Sequence, residues 1–281
     1  MIRFILVVVA LLGFLAASIP LVIGEYLVSK RNAKRQQEHS LRIVQAMFRL
    51  IFRLTGSTLT IKGQDNVPEG AVLYVGNHRS YFDIIVGYAV VPNLAGFVAK
   101  KEMTRYPVLS DWMRLVNCLF LNRDDIKEGL KTILEGIEKV KQGISIWIFP
   151  EGTRNENEDI LDLLPFKEGS LKIAEKSGCP VIPVAFTGTA DIFESHIPFM
   201  RPSHVTIEFG EPIYVKKLPP ELRKRSGAYT RDRIIEMLKK EQRERAGAVQ
   251  TEQRVIKRHR SRYGGSLKHG FTGVQDRTRP D

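Results

Sequence analysis

Three short runs, residues 71–75, 144–149 and 181–187, constrain the fold most because they are almost wholly apolar. A strand that is apolar on both faces needs cover on both faces, as in the buried sheets of α/β proteins. Stretches with helical apolar spacing separate these runs, and the clearest of them ends at Gly143. Its apolar positions are Ile126, Leu130, Ile133, Leu134, Ile137 and Val140. The alternation predicts an α/β fold, a single domain with a largely buried mixed sheet flanked by helices.

Residues 4–24 contain no charged side chain. At 1.5 Å per residue, a helix of this length just reaches across a hydrocarbon core of about 30 Å. A cleaved signal peptide, with small residues at 16–18, is the competing interpretation. Because the apolar run is long for such a peptide, we expect an uncleaved membrane anchor. Four basic residues between 30 and 35 outweigh Arg3, so the positive-inside rule places the C-terminal bulk at the cytoplasmic face of the membrane.

Residues 41–54 carry apolar side chains at helical spacing with arginines between them. Their place just after the expected anchor favours an amphipathic helix at the membrane surface, and the alternative is an ordinary helix packed on the domain. We divide the chain into a membrane anchor with this interfacial helix (residues 1–56), the α/β domain (57–240) and a basic tail (241–281). The tail lacks hydrophobic periodicity, so we expect at most transient helix over residues 241–260 and a disordered remainder.

The charge balance of the 281-residue chain indicates anionic partners. Lysine and arginine total 43 against 31 acidic residues, a net charge of +12. Such a chain attracts nucleic acid, anionic lipid or phosphorylated substrates, and charge alone does not choose among them. The two cysteines, Cys118 and Cys179, lack metal-ligand spacing and offer no framework of several disulfides. We therefore expect buried thiols in a reducing compartment and no metal site.

The sequence NHRSYFD (residues 77–83) follows the first apolar run and contains a candidate catalytic pair, His78 and Asp83. Two helical positions five apart lie about 140° around the axis. The pair can therefore meet only if His78 lies in a turn and Asp83 in the first turn of the following helix. A histidine oriented by a carboxylate can act as a general base. Alternatively, Ser80 and Asp83 form a helix capping box with no chemical role.

A second motif, FPEGTRN (residues 149–155), ends the most apolar run. Open α/β sheets bind their ligands at the carboxyl ends of strands. Gly152 permits close backbone approach, while Thr153 and Arg154 supply hydrogen-bond donors suited to a phosphate group. An ordinary turn with a surface arginine fits this stretch equally well when it is read alone.

Together, the two motifs resemble the His-x4-Asp and Phe-Pro-Glu-Gly-Thr-Arg motifs of the glycerolipid acyltransferases. Two further blocks follow in the family's order: LFLNR (119–123) resembles the block ending in Phe-x-x-Arg, and VIPV (181–184) resembles the apolar block with a central proline. Residues 97–102 and 165–169 are similar to stretches common in the 1-acylglycerol-3-phosphate acyltransferases. The resemblance covers residues 57–218 and leaves the expected anchor and tail outside it.

The resemblance implies transfer of a fatty acyl group from acyl-CoA or acyl-carrier protein to the free hydroxyl of 1-acylglycerol 3-phosphate, giving phosphatidate. His78 is then the general base, and Asp83 orients it. The residues implied in substrate binding are Lys100, Arg123, Glu151, Gly152, Thr153 and Arg154. The expected partners are the membrane, the lysophospholipid acceptor and the thioester co-substrate. No further cofactor and no specific nucleic acid are expected.

Two departures from the family pattern bear on the acceptor. The family usually has glycine at the position of Asn117 and aspartate at the position of Asn122. Another lysophospholipid or glycerol 3-phosphate therefore stays open as the acceptor. A protein of a different class, which is tethered to a membrane and binds lipid or RNA without catalysis, needs no ordered pair of His78 and Asp83.

Overall fold

A computed structural model describes residues 1–263 of the protein, with side chains described for residues 1–248. The strands are β1 (Thr58–Lys62), β2 (Leu73–Gly76), β3 (Ala95–Lys100), β4 (Leu119–Leu121), β5 (Ser145–Ile148), β6 (Val181–Thr187) and β7 (His204–Phe209). The α-helices are α1 (Ile2–Ala17), α2 (Ile19–Ser29), α3 (Ala33–Leu54), α4 (Tyr81–Val90), α5 (Leu109–Leu115), α6 (Ile126–Lys141), α7 (Lys172–Ser177), α8 (Pro220–Lys224) and α9 (Ser226–Tyr263).

The strands of the described chain form one mixed sheet in the order β1-β7-β6-β2-β5-β3-β4. Neighbouring strands run parallel except β6 and β7, which are antiparallel. Every residue of β2, β5 and β6 is buried, because hydrophobic layers cover both faces of the sheet. The predicted α/β class with a largely buried mixed sheet is confirmed.

The two central strands β2 and β5 lie side by side, and their pairing determines where the two motifs meet. They run parallel, with Tyr74 opposite Trp147. The motif at residues 77–83 follows the carboxyl end of β2, and the motif at residues 149–155 follows the carboxyl end of β5. Both motifs therefore reach the same edge of the sheet, where α/β proteins bind ligands.

Aromatic side chains fill the core on one face of these central strands. The Tyr74 ring stacks on the Trp147 indole with centroids 4.7 Å apart, and the Phe97 ring stacks on the same indole at 4.9 Å. On the other face, α6 and α7 supply aliphatic side chains such as Ile137 and Ile173. Interiors packed in this way resist deformation, so β2 and β5 form a firm base for a site.

The uncharged N-terminal run forms two helices, α1 and α2, that meet at a bend of 51°. Pro20 lies in the first turn of α2, where proline is tolerated although it interrupts a continuous helix. Among the described helices, none alone is long and apolar enough to cross a membrane, but α1 and α2 together satisfy that criterion of length and composition. The uncharged segment expected from the sequence to be a membrane anchor is therefore a bent pair of helices. Several of its apolar side chains are exposed, including Ile5, Val9, Leu12 and Ile23.

The segment predicted to lie at a membrane surface belongs to α3. Its apolar face is buried within the protein at Leu41, Val44, Met47 and Ile51. Arg49 Nε donates a hydrogen bond to the carbonyl of Ala89 in α4 at 2.9 Å. The alternative interpretation, a helix packed on the domain, describes this face. Helices α1 to α3 belong to the same compact unit as the sheet, Met1–Leu238.

Helix α6 is the helix that the apolar spacing predicts, and only some of its apolar side chains are buried. Ile137 and Val140 are buried, whereas Ile126, Leu130 and Leu134 are exposed. The helix has 16 residues, about 24 Å, and the edge strand β4 beside it has three, about 10 Å. The sheet edge is too short to cover the N-terminal half of the helix.

A second compact unit starts at Lys239, within α9. From the sequence, residues 241–260 are expected to be at most transiently helical and the remainder disordered, whereas residues 241–263 belong to helix α9. Alanine, glutamate, glutamine, lysine and arginine favour helix and are frequent there, which explains the difference. Residues 264–281 of the predicted tail lie outside the described residues.

Candidate active site

His78 and Asp83 meet in the way that their spacing requires. His78 lies in the turn after β2, and Asp83 is the third residue of α4. His78 Nδ1 is 2.9 Å from Asp83 Oδ2. The Asp83 side chain is fully buried, while that of His78 is 15% exposed. Because Nδ1 is bonded to Asp83, Nε2 is the ring nitrogen left for a substrate.

The same turn is also a helix cap, so the capping box and the contact between His78 and Asp83 occur together. Ser80 is the N-cap residue of α4, and its Oγ accepts a hydrogen bond from the Phe82 N–H at 2.9 Å. Asp83 Oδ2 accepts from the backbone N–H groups of Arg79 and Ser80, each at 2.8 Å. The helix N-terminus favours the carboxylate charge. The cap therefore fixes the acid that orients the base.

Residues of the second motif hold His78 from the opposite side. The Phe149 ring stacks on the imidazole with centroids 4.2 Å apart and planes 14° apart. The His78 carbonyl accepts from the Asn155 N–H at 2.7 Å, and the His78 N–H donates to Glu151 Oε1 at 2.8 Å. Both the ring and the backbone of His78 are therefore fixed by the turn at residues 149–155.

Glu151 bonds to the backbone of His78 and does not line the cavity next to the imidazole. Its side chain is buried, Oε1 accepts from the His78 N–H, and Oε2 accepts from the Leu164 N–H at 2.9 Å. Burial raises the pKa of the Glu151 carboxyl, while the two N–H bonds and the charge of His78 oppose that rise. Sequence resemblance predicts that Glu151 binds the acceptor. Both of its oxygens are already engaged by backbone N–H groups, so its contacts in the structure are with the protein itself.

A cavity of about 340 Å³ opens in front of His78. Its walls are largely apolar and include Ile84, Val98, Met103, Met113, Leu121 and Phe149. Four basic side chains also line it: Lys100, Arg123, Arg154 and Lys167. Apolar walls combined with several cations suit a ligand that has an anionic group and an apolar chain.

Gly152 and Thr153 belong to the turn at residues 149–155, next to the cations Lys167 and Arg154. Gly152 has a φ of +79°, a conformation that favours glycine. A Cβ at this position would lie 3.0 Å from Lys167 Nζ, so glycine also gives the lysine room. Thr153 is exposed and lines the cavity. The structure therefore brings both residues to the cavity, as predicted.

Arg154 is held at the cavity wall by two neighbours. Its guanidinium lies over the Tyr81 ring, 4.1 Å from the ring centroid. Its Nη1 atom lies 3.5 Å from Glu194 Oε1, which contributes a second, charged contact. Cation–π and ion-pair contacts of this kind restrict an otherwise flexible side chain.

Lys100 and Arg123 reach the cavity from the other half of the sheet. Lys100 ends β3, and Arg123 follows β4. Burial lowers the pKa of the Arg123 guanidinium, and the charges of Glu102 and Asp124 oppose this change. An arginine stays protonated at neutral pH despite such a shift, so the residue serves as a cation in the cavity.

Two residues at the site escape prediction from the sequence, Lys167 and Glu194. Lys167 belongs to the stretch 165–169 that resembles the acyltransferases, and its charge in that stretch is a signal that could have identified it. Glu194 begins a one-turn 3-10 helix, Glu194–His196, 40 residues after Arg154. No local pattern marks it, because only folding brings that turn to the N-terminus of α4.

The two departures from the family pattern have local explanations. Asn117 has a φ of +64°, a left-handed conformation that asparagine adopts more readily than most residues. Asn122 Nδ2 donates to Glu128 Oε2 at 2.7 Å, a bond that an aspartate cannot make. Neither side chain lines the cavity. The departures therefore concern a turn and the start of α6.

The cysteines lie away from the catalytic pair. Cys118 is buried and Cys179 is partly buried, and both are free thiols. Burial raises the pKa of each thiol. In the part of the chain that the structure describes, no group of three or more His, Cys, Asp or Glu side chains could hold a metal ion.

The fold and this site place a histidine–aspartate pair at a cavity lined by basic side chains. Residues 58–187 match the family model described as Acyltransferase. This segment is therefore similar to the acyltransferases, as its motifs predict.

Three similar proteins carry the name 1-acyl-sn-glycerol-3-phosphate acyltransferase. The Saccharomyces cerevisiae protein is 27% identical over 66% of this chain and 61% of its own length. The Cocos nucifera protein is 31% identical over 59% of this chain and 53% of its own length. The Borreliella burgdorferi protein is 28% identical over 71% of this chain and 79% of its own length. The chain thus spans less than two thirds of the first two relatives.

One similar structure is the crystal structure of the 1-acyl-sn-glycerophosphate (LPA) acyltransferase from Thermotoga maritima. The two share 27% sequence identity and superpose with a TM-score of 0.68. The match covers 85% of this chain and 97% of the other. The likeness therefore extends beyond the segment matched by the family model.

Proposed function

We propose that this protein transfers a fatty acyl group from a thioester to the free hydroxyl of 1-acylglycerol 3-phosphate, giving phosphatidate. The observation that carries the proposal is the pair of His78 and Asp83 facing a cavity lined by four cations. The shared name of the relatives supports the same acceptor. An enzyme of this kind acts in phospholipid synthesis.

In this reaction His78 is the general base. Its Nε2 atom takes the proton of the acceptor hydroxyl while that oxygen attacks the thioester carbonyl. The tetrahedral intermediate collapses by breaking the bond between carbon and sulfur, and the imidazolium returns its proton to the departing thiolate. Asp83 stabilises the imidazolium and holds the tautomer that leaves Nε2 free. The acceptor attacks directly, so the protein forms no covalent acyl intermediate.

The basic side chains of the cavity hold the phosphate of the acceptor. Arg123 and Arg154 can each present two N–H groups to phosphate oxygens, and Lys100 and Lys167 add point charges. Fixing the phosphate also fixes the hydroxyl beside His78, and such orientation lowers a barrier by up to about 7–11 kcal/mol. The apolar walls accommodate the parts of both substrates next to the reacting atoms.

The exposed apolar side chains of α1 and α2 support a place at a bilayer, where acceptor and product reside. We propose that this bent pair attaches the protein to the cytoplasmic face of a membrane, in agreement with the basic residues that follow it. The acyl donor is acyl-CoA or acyl-carrier protein, both of which present the same thioester to the cavity.

The first experiment measures acyl transfer from labelled acyl-CoA and from acyl-carrier protein to 1-acylglycerol 3-phosphate in detergent micelles. We expect phosphatidate from the wild-type protein and none above background from His78→Ala. His196→Ala, which removes an imidazole outside the cavity, serves as the matched control and keeps its activity. Transfer by folded His78→Ala at the wild-type rate excludes the proposed base.

A second experiment identifies the acceptor. We expect Arg154→Ala to raise KM for 1-acylglycerol 3-phosphate by at least about ten-fold, since a charged hydrogen bond contributes about 1.5–3 kcal/mol. Arg105→Ala removes an exposed arginine outside the cavity and leaves KM unchanged. Glycerol 3-phosphate and other lysophospholipids are compared as acceptors in the same assay. A preference for one of these acceptors changes the assigned acceptor and leaves the proposed acyl transfer in place.

A further inference from the structure

Glu194 contacts three groups of the site at once, although it lies in a turn that no motif includes. Its Oε2 atom accepts a hydrogen bond from Ser80 Oγ at 2.7 Å, and its Oε1 atom accepts from the Tyr81 N–H at 2.8 Å. The same Oε1 atom lies 3.5 Å from Arg154 Nη1. The Glu194 side chain is 15% exposed, so these contacts are partly shielded from solvent.

The helix cap alone does not account for this carboxylate. Ser80 Oγ already accepts from the Phe82 N–H, and Asp83 already accepts from the Ser80 N–H. Glu194 adds a bond to the first N–H of α4 and at the same time joins that helix end to Arg154. It is therefore the link between the helix that carries Asp83 and a cation of the cavity.

We propose that Glu194 is a positioning residue that holds the Arg154 guanidinium on the Tyr81 ring, in the orientation that receives the acceptor phosphate. One edge of the guanidinium faces Glu194 and one face covers the ring, so its remaining N–H groups are free for phosphate oxygens. The role in acceptor binding rests on the function proposed above. The effect on a bound phosphate group can be measured without turnover.

Two effects of the Glu194 charge oppose each other. A carboxylate close to the phosphate repels it, whereas an arginine that is already ordered binds it without a further loss of side-chain entropy. The Ser80 hydroxyl, the Tyr81 N–H and the Arg154 guanidinium all stabilise the carboxylate, which reduces the repulsion. The entropy saved by the ordered arginine therefore exceeds the remaining repulsion, and removing Glu194 weakens phosphate binding.

The test is a double-mutant cycle on the full chain in detergent micelles, with glycerol 3-phosphate as the probe. We expect Glu194→Ala to raise the Kd for glycerol 3-phosphate by about three- to ten-fold, the cost of ordering one long side chain. In the Arg154→Ala background the same substitution changes the Kd by less than about two-fold, because its effect passes through Arg154. In assays of acyl transfer, KM for 1-acylglycerol 3-phosphate rises in parallel while kcat changes little.

Two further variants separate positioning from folding. Glu194→Gln keeps an oxygen that can accept from the Tyr81 N–H, so it retains the helix end and replaces Glu194→Ala in the cycle if that variant does not fold. Asp191→Ala removes an exposed carboxylate from the same region of chain and leaves the Kd unchanged.

The proposal is overturned if Glu194→Ala leaves the Kd unchanged or lowers it, or if it raises the Kd equally with and without Arg154. Absence of acyl transfer by the wild-type protein refutes the proposed function instead. In that case the cycle with glycerol 3-phosphate still decides whether Glu194 positions Arg154.

Discussion

Asp83 is fully buried, and its Oδ2 atom is within hydrogen-bond distance of His78 Nδ1 and of the N–H groups of Arg79 and Ser80. The two backbone bonds fix the position of the carboxylate whether or not the imidazole is present. What Asp83 alone supplies is a negative charge next to the imidazole. In the reaction proposed above, that charge stabilises the imidazolium formed when His78 takes a proton.

Asp83→Asn keeps an oxygen for the backbone N–H groups and removes the charge. We expect kcat for acyl transfer to fall by about 10³- to 10⁴-fold, by analogy with hydrolase triads. KM for the acceptor changes little, since Asp83 does not line the cavity. Steady-state kinetics measures both constants, and thermal unfolding shows that the variant is folded. A fall in kcat of less than about ten-fold contradicts the role assigned to Asp83.

Glu151 offers a test of stability that depends on pH. Glu151→Gln replaces one of two oxygens that accept backbone N–H bonds with an NH₂ group, so a buried donor loses its acceptor. We expect the free energy of unfolding at pH 7 to fall by about 1–3 kcal/mol. The displaced His78 backbone also lowers kcat. Urea unfolding and steady-state kinetics measure the two effects.

The sign of the pH dependence follows from the raised pKa of the Glu151 carboxyl. The folded protein holds this proton more tightly than the unfolded chain, whose glutamates have a pKa of about 4.3. The stability linked to protonation is present below about pH 4.3 and is lost as pH rises through the raised pKa. The wild-type advantage over Glu151→Gln should therefore shrink over that range. An advantage that grows with pH contradicts the burial argument.

At the residue scale, the sequence predicts the partners that lie close together in the chain. The spacing of His78 and Asp83 allowed one local geometry, and the structure has it. Glu151 sits in a recognisable motif, yet its contacts depend on Leu164, which belongs to another segment. Glu194 reaches the site only through the path of the chain after β6. Such long-range neighbours are set by tertiary packing, which local spacing does not contain.

At the scale of elements, the turn between α5 and β4 shows how a backbone conformation limits the sequence. Asn117 lies there with a φ of +64°, and its Oδ1 atom accepts a hydrogen bond from Lys139 Nζ at 3.2 Å. Strand β3 comes close to this turn: a Cβ on Gly96 would lie 2.0 Å from the Asn117 carbonyl oxygen. The turn therefore has little freedom to adjust to another residue.

Asn117→Ala and Asn117→Gly distinguish the effect of the backbone conformation from that of the side-chain hydrogen bond. Both variants lose the bond to Lys139, but the left-handed conformation is unfavourable only for alanine. We expect Asn117→Ala to be less stable than Asn117→Gly by about 1 kcal/mol, measured by urea unfolding. Asn117→Asp keeps an acceptor and a tolerated conformation, and serves as the control for the hydrogen bond. Equal stability of the alanine and glycine variants contradicts the role of the φ angle.

The boundaries of α6 follow from the sequence, but the burial of its apolar face does not. The helix starts and ends where the apolar spacing and Gly143 predict. Its exposed residues Ile126, Leu130 and Leu134 have the same spacing as its buried ones. Burial depends on the length of β4, and that strand is short because the chain turns away after Leu121. The apolar spacing within a helix contains no information about the length of the strand that packs beside it.

At the scale of the whole molecule, exposed apolar side chains are concentrated in α1 and α2. Introducing aspartate at Val9, Leu12 and Ile23 is expected to weaken sedimentation with anionic phospholipid vesicles by more than about ten-fold, because charge is costly at a bilayer. The matched control introduces aspartate at the exposed α6 residues named above and changes sedimentation by less than about two-fold. Equal loss in both variants contradicts attachment through α1 and α2.

The order of strands in the sheet lies beyond what the sequence predicts. The alternation of apolar strands and helices predicts an α/β layer, and that much is confirmed. The first strand of the chain pairs with the last, with Thr58 opposite His204, and β6 and β7 are the one antiparallel pair in the described sheet. Both features depend on contacts between distant segments, since apolar periodicity is the same for every arrangement.

The hydrogen bonds on either side of His78 have a dynamic consequence. Two residues of the turn at 149–155 bond to the His78 backbone. Glu151 Oε1 accepts from the His78 N–H, and the Asn155 N–H donates to the His78 carbonyl. Arg154, which we expect to touch the phosphate, lies between those two attachment points. Both attachment points, Glu151 and Asn155, are buried, so they restrict independent motion of the Arg154 backbone and the His78 peptide. The spacing between this cation and the imidazole is therefore limited by the fold before a ligand binds.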